Sequence, residues 1–164
     1  MQLKKIVCIS LIAASVLLAQ TGCGKMELAN PEDGYSTNYA LSAIEYNIFL
    51  NKQIGVAENV LATRLSMANS VAGGTYEPEK EIVSAEEAIS KIEDIKDEIT
   101  VTMPATNYET DRQNALDLIE DSLLVLNDYL DALNSNDQER IETCAVQMKD
   151  CYIALSGEAN AYYE

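Results

Sequence analysis

The side chains able to do chemistry in this chain are four cysteines and 27 carboxylates, with no histidine among them. Histidine is the commonest general base, the usual transition-metal ligand and the partner of most serine and cysteine nucleophiles. A di-iron carboxylate bundle would need Glu-x-x-His pairs, which are absent for the same reason. There is no Cys-x-x-Cys-His haem motif. Gly73-Gly74 ends a helical pattern rather than opening a helix after a strand, so it is not a phosphate loop. Cys144 and Cys151 share one helical stripe. Their spacing puts them ~10 Å apart along a helix axis, too far for a disulfide. They are expected as free thiols buried like small hydrophobes.

The carboxylates group on helical faces opposite apolar stripes: Glu86-Glu87, Glu93-Asp94 and Asp97-Glu98, then Asp117, Glu120, Asp121, Asp128 and Asp131. A catalytic carboxylate needs a desolvating pocket. These positions read instead as solvated faces. The segment Asp131–Glu142 carries acids at calcium-loop positions 1, 7, 9 and 12, but Leu133 and Asn136 stand where a ligand and a glycine belong. The reading is therefore no enzyme, with no catalytic residue, no metal ligands and no cofactor.

The cysteine with the strongest context is Cys23. Before it run Lys4-Lys5, an uncharged apolar stretch from Ile6 to Ala19, and Gln20-Thr21-Gly22. The apolar stretch is shorter than the ~20 residues of a membrane-spanning helix and matches the core of an export signal. Thr21-Gly22-Cys23 resembles the lipobox of bacterial lipoproteins, with Gln20 where that family usually has leucine. The resemblance covers residues 1–23 only. It implies acylation of Cys23 by a diacylglyceryl group with palmitate-type chains, and cleavage before it. Two acyl chains anchor stably where one, at ~0.8 kcal/mol per buried CH₂, does not. The implied location is the extracytoplasmic side of the cell membrane, held by the lipid anchor.

The leader takes two lysines, leaving nine of the 11 basic residues against all 27 acidic ones. That balance excludes nucleic acid, which needs a basic footprint. It also disfavours lying flat on an anionic leaflet. The partners it leaves are the membrane, through the anchor, and an envelope protein.

The elements that must position these groups are helical. Residues 1–22 are the expected signal peptide. Residues 23–36 form the lipidated N-terminus and a tether punctuated by Pro31 and Asp33-Gly34. Residues 37–164 form an acidic helical bundle. The first helix is expected from about Thr37 to Ala72, stopped by Gly73-Gly74, with a stripe Leu50, Ile54, Ala57, Leu61, Leu65, Ala68 and Ala72. The second starts near Pro78 or Ser84, where Ser84-x-x-Glu87 fits a capping box with Val83 as staple. Ile82, Ala85, Ile89, Ile92, Ile95 and Ile99 form its stripe, and it ends before Pro104. The third starts at a Thr106-x-x-Glu109 box, with Arg112, Leu116, Ile119, Leu123, Leu126, Leu130 and Leu133 as its stripe. Asn134-Ser135-Asn136 breaks it. A cap at Ser135 or Asn136 opens a fourth helix bearing Ile141, Cys144, Met148, Cys151, Leu155 and Ala159. No segment alternates as a strand would. The expected fold is all-α, an antiparallel up-down four-helix bundle.

Residues 39–50, YALSAIEYNIFL, carry one charge, Glu45, and are apolar nearly all round. At 100° per residue, Leu41, Ile44 and Ile48 point one way, and Tyr39, Tyr46 and Leu50 another, with Phe49 between. A helix apolar all round is normally buried, whereas an open apolar face marks an interface. Tyr39, Tyr46, Phe49 and Leu50 are the candidate interaction surface. Nine tyrosines against one Phe and no Trp suit bundle rims, hydroxyl in water. Gly55 allows close packing or a slight kink. The expected function is a non-catalytic protein-interaction module of the cell envelope; the alternative is a bundle binding a small ligand or cation in a cavity lined by tyrosine and carboxylate.

Overall fold

The computed structural model describes residues 41–161. They form four α-helices: α1 (Ala43–Ala72), α2 (Pro78–Val101), α3 (Glu109–Ser135) and α4 (Gln138–Ala161). The helices pack in a ring in which α1 lies beside α4, α4 beside α3, α3 beside α2, and α2 closes on α1 through the loosest of the four seams. Side-chain bridges give the directions. Gln53 reaches Glu98, while Arg64, further along α1, reaches Glu81 further back on α2. Gln138 at the start of α4 donates to the Ala72 carbonyl at the end of α1 (2.6 Å). The bundle is therefore all-α and antiparallel, up and down.

Local chemistry fixes the ends. Ser42, in extended backbone, accepts from the Glu45 amide through its hydroxyl (3.3 Å), and Glu45 accepts in return from the Ser42 amide (2.9 Å). This reciprocal capping box begins α1 at Ala43, later than the Thr37 expected. Gly74, at φ +67°, takes the left-handed turn after α1 that a side chain would resist. Pro78 opens α2 at its first position, where a missing N–H costs nothing. Ser84 therefore lies inside α2 and caps nothing, and Val83, the expected staple, is exposed. Thr106 does not cap α3 either: its N-cap is Tyr108, with no side-chain bond, after Asn107 at φ 74°. Arg112 instead ties the start of α3 to the end of α2, donating to the carbonyls of Ile99 and Thr100. Its cation offsets the negative end of that helix. Asn136 ends α3 in the left-handed region, and the Asp137 carboxylate accepts from the Arg140 amide to open α4 (3.2 Å). The cap expected at Ser135 or Asn136 falls one residue later.

The core follows the stripes with adjustments: Leu65, Ala72, Ile82, Cys151 and Ala159 are only half-buried, and Val71 and Glu81 are buried instead. On α3 the fully buried line is Ala115, Ile119, Ser122, Leu126, Tyr129 and Leu133. Leu116, Leu123 and Leu130 flank it half-buried. Each fully buried Leu, Ile or Met contributes on the order of 1.5–3 kcal/mol. Ser122 enters this line without cost in unpaired groups, because its hydroxyl donates to the Leu118 carbonyl.

Candidate functional site

Cys23 and Tyr39 lie outside the described residues. The other expected surface residues divide. Tyr46 and Leu50 are fully buried, and Phe49 is half-buried. Tyr46 packs edge-on against Tyr108 (5.7 Å between ring centres) and tilted against Phe49 (5.9 Å). The assignment of Tyr46 and Leu50 to an interaction surface is thus corrected: antiparallel packing turns their side of α1 onto the bundle. The opposite side is open, with Ile44 74% and Ile48 65% exposed. One turn apart, these two form the outward apolar face of the first turns of α1.

Two tyrosines also depart from the rim reading. Tyr46 and Tyr129 are fully buried, and neither hydroxyl has a hydrogen-bond partner. Burial pushes both phenols above their usual range. Tyr76, Tyr108 and Tyr152 do lie half-buried against the core.

Around Tyr129 the core is polar. Arg64 of α1 pairs with Glu81 of α2 at 2.6 Å; the Glu81 side chain is 1% exposed and that of Arg64 12%. The charges of both act on the Tyr129 hydroxyl of α3, Glu81 raising its phenol further and Arg64 lowering it. The Arg64–Glu81 pair thus joins α1 to α2 inside the bundle, with the unpaired Tyr129 phenol within range of its charges. Burial pushes the Glu81 carboxyl above the usual glutamate range, and Arg64 pulls it back only in part. Sequence reasoning did not find this cluster, although a signal was present. Arg64 falls in step with Ala57, Leu61, Ala68 and Val71, and Glu81 heads the line Ala85, Ala88, Ile92, Ile95 and Ile99. Charges on core lines must find each other.

Next to Arg64, the loose α1–α2 seam opens into a groove of about 300 Å³. Its walls are Asn59, Thr63 and Arg64 from α1 and Ser84, Glu87 and Lys91 from α2, over Val60 and Ala88. It contains no tyrosine, unlike the cavity expected.

Cys144 is buried and Cys151 half-buried, both as free thiols. Burial pushes both above the usual thiol range, which makes them poor nucleophiles. The acids of the second and third helices expected on solvated faces are all exposed. No group of acids or thiols among the described residues could hold a metal ion. No helix among them is long and apolar enough to cross a membrane. No protein-family model matches the chain, and comparison with curated proteins and with solved structures gives no match either.

Proposed function

We propose that this chain is a membrane-anchored extracytoplasmic lipoprotein whose bundle is a non-catalytic protein-interaction module of the cell envelope. The lipobox-like segment ending at Cys23 supports the anchor. The outward face of Ile44 and Ile48 carries the interaction. Apolar side chains held open on a capped helix offer a partner surface at little ordering cost. The face also follows the tether directly in sequence, so the anchor and the contact belong to the same end of the chain.

A photo-crosslinking residue placed at 44 or 48, in the native membrane, should give one discrete protein adduct. The same probe at the comparably exposed Val146 should not. Loss of the adduct in Ile44→Glu/Ile48→Glu, with the fold intact, would complete the case. Equal labelling from all three positions would refute it. Intact mass of the membrane-extracted protein, compared with Cys23→Ser, tests the anchor separately.

A further inference from the structure

The α1–α2 groove has a composition that the interaction role does not use. It lies roughly 20 Å along α1 from Ile48, counting 1.5 Å per residue. Arg64 sits at its inner edge. One guanidinium nitrogen binds Glu81, and the remaining donors of its planar fork make no other hydrogen bond among the described residues. Lys91 and Glu87 stand one turn apart on α2, the favoured order for a helical ion pair. Yet neither joins an ion pair among the described residues. Thr63 and Asn59 have each spent a donor on their own helix: Thr63 on the Asn59 carbonyl and Asn59 on the Gly55 carbonyl. Both residues are exposed and line the groove, and their side-chain oxygens accept no hydrogen bond among the described residues. Ser84, inside α2, retains its hydroxyl for another partner.

The groove therefore offers both kinds of recognition. Arg64, Lys91 and Ser84 donate, as a carboxylate requires. Glu87 and the oxygens of Asn59 and Thr63 accept, as an ammonium requires. A free anion is a poor occupant, because a net charge of −16 repels it at long range. A molecule carrying both charges has no net charge and meets no such barrier. We infer that this groove binds a small zwitterion of the α-amino-acid class, its carboxylate on Arg64 and Lys91 and its ammonium on Glu87. The Glu81 pairing is what holds the Arg64 fork at the groove's edge. Val60 and Ala88 supply an apolar floor for the ligand's carbon atoms.

The test is NMR titration of the isotope-labelled full chain in detergent micelles with a panel of L-amino acids that includes L-alanine. Propionate and ethylammonium supply each charged half of alanine alone. At least one amino acid should shift the amides of residues 59–64 and 84–91 in the millimolar range, and the half-molecules should do so far more weakly. Lys91→Ala and Glu87→Gln change exposed side chains and should leave the melting temperature unaltered. Each should weaken binding about tenfold. The proposal is overturned if no amino acid shifts these amides, if propionate or ethylammonium binds as well as the zwitterion, or if both variants bind like the unaltered chain.

Discussion

In its first turns α1 sends apolar side chains two ways, Tyr46 and Leu50 into the bundle and Ile44 and Ile48 into solvent. From Ile54 onward the same helix keeps one apolar line, and it places a cation, Arg64, on that line. One region thus has more apolar surface than its core can absorb, and the other has a charge its core must neutralise. Both depart from a simple amphipathic stripe, in opposite directions. A surplus apolar face costs the fold little and is available to a partner. A buried charge needs a dedicated counter-charge, here Glu81, and couples two helices across the loosest seam.

The largest test of this contrast sets the two sides of the first turns against each other. Tyr46→Glu puts a carboxylate where the native side chain is fully buried. It should cost about 4 kcal/mol or more, enough to unfold a marginal domain. Ile44→Glu/Ile48→Glu should stay within about 0.5 kcal/mol per substitution, as surface changes do. Urea unfolding followed by circular dichroism separates them. Comparable losses would mean that Ile44 and Ile48 already support the fold and have no spare face.

The second region breaks next. Arg64→Ala leaves the Glu81 carboxylate buried and alone, and should cost about 3 kcal/mol. Replacing the pair together by Arg64→Met/Glu81→Leu should restore most of that loss, since an apolar layer needs no counter-charge. If the double variant is no better than Arg64→Ala, the pair contributes more than mutual neutralisation.

Acidity probes the same buried pair with a smaller effect. Burial raises the Glu81 carboxyl above its ordinary value of 4.5. The folded state then binds this proton more tightly than the unfolded one. The resulting stability is complete below pH 4.5 and is lost as pH rises through the higher folded value. Between those limits the native chain should lose stability with rising pH relative to Glu81→Gln, in paired denaturant melts. Glu45 runs the other way: its hydrogen bonds with Ser42 lower its carboxyl, so its contribution is present above 4.5 and falls away below it. The two effects occupy separate pH windows, and parallel profiles for the native chain and Glu81→Gln would remove the buried charge from the account.

Helix number, order and breaks were legible because period, Gly73-Gly74, Pro104 and Asn136 all act locally. Helix starts were less so. Ser84 and Thr106 have the spacing of caps, but Pro78 had already begun one helix and left-handed Asn107 re-aims the entry to the other. The direction of the first turns of α1 was not legible: with apolar residues all round, only the partner helices decide which side is inside. The groove was hidden for a related reason. Its two walls are far apart in sequence, and each looks like an ordinary solvated face until the helices are laid together.

The smallest effect tests the joint between the two regions, where Gly55 sits. The sequence allowed two roles for it, close packing or a kink. A methyl group built on Gly55 would meet nothing within 4 Å, so no neighbour requires its smallness. Gly55→Ala should therefore stabilise the bundle by about 0.5–1 kcal/mol, through better helix propensity and a less flexible unfolded chain. Gly74 is the internal control. Its φ of +67° strains any side chain, and Gly74→Ala should lose about 1 kcal/mol instead. The informative outcome at Gly55 is a gain in stability accompanied by weaker crosslinking at Ile44 and Ile48. That would show that the open face reaches its partner by flexing at Gly55. Stabilisation with unchanged crosslinking would show that the face is presented ready-made, with the glycine a tolerated imperfection between two rigid halves.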